Sequence, residues 1–234
     1  MLVYFATKDE FSEDIRLNRI ETRVLEGFRK HLGRSTSPSE IASWRNSLMY
    51  MDRVVETASV PDDAGVAIEY RIPQTGKRVD FVLSGRDPSD ARSVVITELK
   101  QWEGVGVTGR DAIVTTRLGS AICETTHPSY QAWSYAQLLR DFNVAIAAKA
   151  IDLWPCAYLH NCTEDSAIRD CRYDSHLAKA PVFLRNEVDA FADFVQRHIC
   201  KGDEGAAIRE IDASEIRPSK DLANHLASLL KGNP

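Results

Sequence analysis

The chain has 234 residues, of which 44% are hydrophobic and 27% are charged, and its formal net charge is −5 at pH 7. This length and apolar content exclude a disordered polypeptide and predict a domain with a substantial core. The negative charge argues against a protein whose whole surface grips nucleic acid, although a local basic patch can still bind it. No apolar run of roughly 18 residues and no signal-like leader occur, so we expect a cytoplasmic protein that neither spans a membrane nor is secreted.

The five cysteines lie at irregular spacing, which favours thiols in a reducing compartment over disulfides. Several of them are close in the sequence to two histidines: Cys156, His160, Cys162, Cys171 and His176. A zinc or iron–sulfur site is one interpretation of this group. Because no Cys-x-x-Cys pair is present and Cys156 falls in an apolar run, buried thiols are the favoured interpretation.

The first 36 residues predict an N-terminal extension that is mainly helical. Residues 2–5 form a short apolar segment, which we interpret as an edge strand, and the capping box at residues 7–10 begins a helix. Apolar residues recur at helical spacing over 20–32. A second capping box, at residues 37–40, begins a longer helix. For Glu40 the reciprocal role in this cap is favoured over the alternative, which is an additional acid near a metal site.

Residues 65–102 predict three consecutive strands. Residues 66–72 and 78–83 alternate between apolar and polar, and residues 94–99 are rich in β-branched side chains. Turn-forming residues separate these strands at 73–76 and 85–92. The pattern is typical of an antiparallel meander.

The register of this meander can be predicted from the positions of its turns. If the first hairpin is symmetric about residues 74–75, Glu69 faces Asp80, and if the second is centred on Ser89, Asp80 faces Glu98. Cross-strand partners share a face of the sheet, so these three acids should form one row. The same symmetry places a row of cations beside them on that face: Arg71, Arg78 and Lys100.

A row of three carboxylates is unfavourable without a cation, because like charges raise each other's pKa. A divalent metal would relieve the repulsion. The alternative is a solvent-facing ladder of charge pairs, but such ladders alternate in sign across strands, whereas each row here has a single sign. The opposite face should be apolar and pack on helices, since it carries these residues: Ile68, Tyr70, Val79, Phe81, Thr97 and Leu99.

The rest of the chain completes an α/β core. Residues 103–119 form an arm of unassigned role that is β-like over 112–118, and a helix over 128–142 presents Gln131 and Tyr135 on one face. A strand over 153–159 should lie parallel to the third strand of the meander. The prediction is an αβββαβ core over residues 37–200, with a mixed sheet flanked by helices. Residues 201–234 are then a C-terminal helical appendage or linker, with a last helix over 218–230.

The acidic residues also support a resemblance. Asp80 followed by Glu98-Leu99-Lys100 on the next strand resembles the PD-(D/E)XK nuclease signature, and Gln131-x-x-x-Tyr135 is similar to the QxxxY element of RecB-like members. Three phrases, SPSEIASWRNSL, ITELKQW and ETTHPSYQAWSY, resemble the N-terminal module of bacterial proteins that carry a C-terminal Schlafen-like helicase/ATPase domain. The resemblance implies a restriction-endonuclease-like fold.

The same resemblance implies a Mg²⁺- or Mn²⁺-dependent nuclease that hydrolyses phosphodiester bonds in DNA or RNA and works with a helicase/ATPase in cis or in trans. It makes Asp80, Glu98 and the Leu99 carbonyl the metal ligands, with Lys100 orienting water or stabilising the transition state. Glu69 is then a further ligand or a supporting group.

Further roles are implied for the residues around these. Gln131 and Tyr135 can hydrogen-bond a phosphate or a water molecule, and the nucleic-acid backbone is expected to bind three cations: Arg71, Lys77 and Arg78. Two alternatives stay open at this point. One is an inactive module that binds nucleic acid, and the other is a protein-interaction domain that regulates a partner ATPase.

Overall fold

The structure is a computed structural model, and it describes residues 1–33, 36–164, 166–218, 222–223 and 228. Its N-terminal part contains β1 (Tyr4–Thr7), α1 (Lys8–Arg16), α2 (Ile20–Leu32) and α3 (Pro38–Thr57). The predicted capping box at α1 is confirmed, since the Glu10 amide donates to Thr7 Oγ1 and the Thr7 amide donates to Glu10 Oε2. The predicted last helix, residues 218–230, lies largely outside the described residues.

The middle of the chain forms the predicted meander and the arm. The meander consists of β2 (Gly65–Arg71), β3 (Arg78–Arg86) and β4 (Arg92–Lys100). The arm is a separate three-stranded sheet made of β5 (Val105–Val107), β6 (Ile113–Leu118) and β7 (Ala121–Thr126). The later elements are α4 (Pro128–Phe142), α5 (Val144–Ala148), β8 (Asp152–Leu159), α6 (Asp174–Leu177), β9 (Val182–Leu184), α7 (Val188–His198) and α8 (Ala206–Asp212).

The main sheet has six strands in the order β1-β2-β3-β4-β8-β9. Strands β1 to β4 pair antiparallel, whereas β4, β8 and β9 are parallel. The predicted α/β architecture with a mixed sheet flanked by helices is therefore confirmed, and α3, β2, β3, β4, α4 and β8 supply the αβββαβ order. The segment predicted as an edge strand, β1, pairs with β2 at one edge of this sheet.

Both predicted hairpin registers are confirmed. In the first hairpin Tyr70 pairs with Val79, and in the second Phe81 pairs with Thr97. Each pairing is the one that follows from the symmetry of its turn. A shift of one residue would have moved every side chain of a strand to the other face, so this register decides which residues meet at the site.

Helices cover both faces of the sheet. Helices α1, α2, α3 and α7 pack on one face through a cluster that includes Leu48, Met51 and Phe191, and α4, α5 and α8 pack on the other through Leu139, Ile146 and Ile208. We call these the α3 face and the α4 face. In the described part of the chain, no helix is both long and apolar enough to cross a lipid bilayer.

The predicted apolar face is confirmed for Ile68, Phe81 and Leu99 but wrong for Tyr70 and Val79, because the side chains change faces at Glu69. Ile68 packs on the α3 face, but Tyr70, two residues further on, packs on the α4 face. The reason is the left-handed backbone of Glu69, with φ at 59°, which interrupts the alternation of side chains. A non-glycine residue in this conformation costs about 1–3 kcal/mol and persists only where surrounding contacts hold it.

The side chains of β3 also change faces around Asp80. Val79 and Val82 are three residues apart, yet both pack on the α4 face, whereas Phe81 packs on the α3 face. Leu99 also packs against the α3 face. The sheet is therefore locally distorted at the two positions where the sequence places acidic residues.

Candidate active site

A cavity of about 560 Å³ opens between α3 and α4, where β3 and β4 separate. Pairing of these strands ends at Phe81 and Thr97, so Asp80 and Glu98 lie just beyond the last pair. The Leu99 amide donates a 2.9 Å hydrogen bond to Asp80 Oδ2 across the gap. All the predicted site residues line this cavity: Glu69, Arg71, Lys77, Arg78, Asp80, Glu98, Leu99, Lys100, Gln131 and Tyr135.

Glu98 is the most deeply buried acid of the site, with 2% of its surface exposed. Its Oε1 atom accepts hydrogen bonds from Lys100 Nζ and Gln131 Nε2, both at 2.6 Å. Its Oε2 atom is buried and accepts no hydrogen bond from an amide, hydroxyl or cation of the described residues, while the carboxyl shares a hydrogen bond with Asp80. Burial, and then the neighbouring Asp80 carboxylate, raise the pKa of Glu98 to about 8.

Glu69 is 3% exposed and is held by two donors. Trp44 Nε1 donates a 2.7 Å hydrogen bond to Glu69 Oε1, and Arg78 Nε lies 2.5 Å from Oε2. Burial, and then Asp80, raise the pKa of Glu69 to about 8. The role of Trp44 was missed, because nothing in the sequence distinguishes this tryptophan from the apolar residues that α3 buries.

The three acids converge, but not as a row on one face. Glu69 bonds to Trp44 of α3, whereas Glu98 bonds to Gln131 of α4, and these helices cover opposite faces of the sheet. The predicted one-sided row is therefore wrong in its geometry. Asp80 nevertheless raises the pKa of both glutamates. The three carboxylates therefore interact where β3 and β4 separate, although the two glutamates bond to helices on opposite faces of the sheet.

Lys100 supplies a positive charge inside the cavity, with a side chain 17% exposed. Burial alone disfavours its ammonium, but the carboxylates of Glu98 and Asp80 outweigh burial and raise the pKa of Lys100. The lysine is therefore charged at neutral pH. Its ammonium is held in place by the hydrogen bond to Glu98. It can therefore balance the charge of one carboxylate or stabilise negative charge that develops on a bound substrate.

The predicted pair on α4 is confirmed as a unit of one helix face. Gln131 Nε2 donates to Tyr135 Oη at 2.9 Å as well as to Glu98. Burial, and then the charge of Glu98, raise the pKa of Tyr135, so its hydroxyl stays protonated. The helix thereby fixes the orientation of the Glu98 carboxylate.

The predicted phosphate-binding cations differ in how they are used. Arg78 forms ion pairs with Glu69 and, at 2.6 Å, with Glu40, so it is committed to the acids of the site. Arg71 and Lys77 line the cavity, and neither makes an ion pair within the described residues. These two are the cations that remain available to a phosphodiester.

The predicted reciprocal cap by Glu40 is wrong. Ser37 does cap α3, since its hydroxyl accepts a 3.2 Å hydrogen bond from the Glu40 amide. The Glu40 carboxylate, however, turns into the cavity, where it bonds to Arg78 and to the Thr36 hydroxyl. The charged guanidinium of Arg78 attracts the Glu40 carboxylate more strongly than the exposed backbone amide of the capping residue does.

The donor chemistry of the cavity fits a hard divalent cation. Glu98 has a buried oxygen that accepts no hydrogen bond from a donor group and lies beside Asp80, and oxygen ligands are those that Mg²⁺ and Mn²⁺ prefer. Across the described ranges, no three or more His, Cys, Asp or Glu side chains are already arranged around a common metal position. The acids would therefore have to shift from Lys100 and Arg78 to enclose an ion.

The cysteines and histidines between residues 156 and 176 form no metal-binding group with the described residues. Cys156 contacts Thr97, His160 bonds to Ser47, and His176 bonds to Asp111. Burial raises the pKa of the Cys156 thiol to about 12, as expected of an inert core cysteine. None of the five cysteines, all of which are described, forms a disulfide.

Comparison of the chain with protein-family models, with curated proteins and with solved structures found no match in any of the three.

Proposed function

We propose that this chain is a metal-dependent nuclease domain of the PD-(D/E)XK type that hydrolyses phosphodiester bonds in DNA or RNA. One observation carries the proposal: the buried, half-satisfied carboxyl of Glu98 lies beside Asp80, with the Lys100 ammonium 2.6 Å from it. Buried acids with raised pKa values that line a polar cavity are typical of catalytic sites. The Gln131 and Tyr135 pair on α4, at the spacing of the RecB-like element, adds support.

Each of the other groups has a role in this proposal. Asp80, Glu98 and the Leu99 carbonyl would hold Mg²⁺ or Mn²⁺, which when bound would supply a Lewis acid and lower the pKa of a water molecule. Lys100 would stabilise the charge that develops on the phosphoryl oxygens. Arg71 and Lys77 would hold the phosphates of the backbone. Glu69 would position Trp44 and Arg78 around the cavity.

A second candidate is a binding module that grips nucleic acid without cutting it. The observation in its favour is that both buried glutamates are already paired, Glu98 with Lys100 and Glu69 with Arg78. Such pairs need no metal. Affinity for Mn²⁺ distinguishes the two candidates, because carboxylates whose charge is already balanced by side-chain cations should bind the ion only weakly.

The partner and the compartment are also proposals. The phrases around α3, β4 and α4 support a helicase/ATPase as partner in cis or in trans, and such a partner would add affinity for nucleic acid through linkage. The absence of disulfides among the five cysteines supports a reducing compartment, and we propose the cytoplasm.

The test is incubation of the purified protein with single- and double-stranded DNA and RNA, in Mn²⁺ or in chelator. Cleavage in Mn²⁺ that is lost in chelator and in Asp80→Asn is the expected result. The matched control is Asp152→Asn, which removes an exposed acid at the other end of β8. Absence of cleavage of all four substrates in Mn²⁺, together with metal-independent binding, would replace the nuclease by the binding module.

A further inference from the structure

A second cavity lies on the other side of α3 from the candidate active site. It measures about 520 Å³ and is lined by Asn46, Met49, Tyr50, Arg53, Asn161 and Arg185. We call it the arginine cavity. Four of these residues follow helical spacing on one stripe of α3, while Ser43 and Ser47, on the next stripe, line the active-site cavity.

The arginine cavity is positively charged. Arg53 and Arg185 are exposed, and within the described part of the chain neither guanidinium makes an ion pair or a side-chain hydrogen bond. Among the described residues, no acidic side chain lines the cavity, and the two asparagines add amide donors. Uncompensated arginines converging on a polar cavity are suited to phosphate, which they bind in a bidentate manner.

An aromatic ring lines the cavity together with the two arginines. Tyr50 is half-buried and stacks on His160 with ring centroids 4.6 Å apart. Because His160 bonds to Ser47, the stack holds the tyrosine in a fixed orientation. The neighbouring Met49 is 55% exposed, so the cavity offers apolar surface as well as charge. Charge alternating with an aromatic ring is the pattern that binds single-stranded nucleic acid.

The topology links the two cavities. Strands β4, β8 and β9 are parallel, so their carboxyl ends meet at one edge of the sheet. Lys100 ends β4 in the active site, whereas Arg185 directly follows β9. Between them, Asn161 Nδ2 donates to the Gln101 carbonyl at 3.2 Å, and Gln101 Nε2 donates to Ser43 Oγ at 2.7 Å.

We propose that the arginine cavity binds the single strand of nucleic acid whose scissile phosphate lies in the active site. This inference rests on the proposed function. Two interstrand spacings separate β4 from β9, or roughly 10 Å. A strand of a duplex advances about 3.4 Å per nucleotide and an unpaired strand is more extended, so this distance corresponds to at most about three nucleotides. Arg53 and Arg185 hold phosphates of that segment, and the Tyr50 ring stacks on one of its bases.

An acidic peptide is the rival occupant, because its carboxylates would also bind two arginines. It would leave the fixed aromatic ring unused, since aspartate and glutamate have no planar ring to stack on Tyr50. The nucleic-acid strand uses the ring, both charges and the proximity to the active site, so we favour it.

The test measures binding of fluorescein-labelled single-stranded DNA and RNA by anisotropy over a range of salt, in chelator. The double variant Arg53→Ala/Arg185→Ala should bind at least about fivefold more weakly and reduce the salt slope by about 1.4, the value for two phosphates of a single strand. Arg53→Lys/Arg185→Lys should keep the slope, and Tyr50→Leu should weaken binding without changing it. The matched control, Arg29→Ala/Lys30→Ala, removes two exposed charges from α2 and should bind as the parent does.

The outcomes separate this inference from the proposed function. If the arginine variant loses affinity while the parent does not cut in Mn²⁺, the cavity is confirmed and the nuclease is not. If the parent cuts but the arginine variant binds and cuts as the parent does, the cavity assignment is wrong. Tighter binding of a poly-glutamate peptide than of either oligonucleotide, with the same loss in the arginine variant, would assign the cavity to a protein partner and overturn the proposal.

Discussion

Replacing Glu69 with glutamine should make the stability of the metal-free protein depend less on pH, so that the variant gains on the parent as pH rises. The substitution removes a buried carboxyl but keeps an oxygen that can accept the hydrogen bond from Trp44 Nε1. Arg78 retains its ion pair with Glu40, but an amide donor replaces the Glu69 oxygen that lies 2.5 Å from Arg78 Nε. The lost contact with Arg78 changes the stability by a nearly constant amount, whereas the lost ionisation changes how the stability depends on pH.

The magnitude follows from the raised pKa of Glu69, about 8 against an ordinary value of 4.5. A carboxyl whose pKa is raised on folding makes the folded state bind more protons than the unfolded state. The contribution of Glu69 to the stability of the parent therefore falls as pH rises from 4.5 towards 8. Each pH unit in this window is worth about 1.4 kcal/mol, so the loss between pH 5 and pH 7 approaches about 2.7 kcal/mol. Glu98 and Asp80 share the same repulsion, so this is an upper value.

The assay is urea unfolding of the parent and of Glu69→Gln in chelator, at about pH 5, 6 and 7. The difference in the free energy of unfolding should widen by about 2 kcal/mol over this range. The matched control is Glu40→Gln, whose half-exposed ion pair with Arg78 should be worth less than about 1 kcal/mol at every pH. Parallel pH profiles for the parent and Glu69→Gln would contradict the raised pKa of Glu69.

Three further predictions concern the same cavity. The Lys100→Ala variant should not cleave nucleic acid, but calorimetry should show that it binds Mn²⁺ nearly as the parent does. The control variant Lys30→Ala should cleave at the parent rate. An unchanged cleavage rate in Lys100→Ala would show that the lysine has no role in the mechanism. Apparent affinity for Mn²⁺ should rise between about pH 6 and 8, because the ion must displace the proton that Glu98 retains through its raised pKa. In thermal melts, Mn²⁺ at a hundredfold excess over the dissociation constant should add about 2.7 kcal/mol of stability. An unchanged melting midpoint would favour the binding module. Trp44→Phe should cost about 1–3 kcal/mol in urea unfolding, since Glu69 loses a buried donor, whereas the partly exposed Trp133→Phe should cost less.

Local pattern in the amino-acid sequence dictates which residues meet. The two turns of the meander set its register, so the spacing of turn residues alone is enough to place Asp80 next to Glu98. Helical spacing likewise places Gln131 and Tyr135 together, and the parallel pairing of β8 follows from the helical crossover. These predictions succeed because turn chemistry and periodicity act between near neighbours in the chain, where the geometry of each element is nearly fixed.

How those residues face one another depends instead on tertiary contacts. The left-handed backbone of Glu69 is held by Trp44 and Arg78, and Glu40 leaves its cap because Arg78 is within reach. The two arginines of the second cavity come from α3 and from the end of β9, far apart in the sequence. Each of these features depends on burial and charge between distant segments, which alter the pKa values and backbone angles that local pattern would otherwise set.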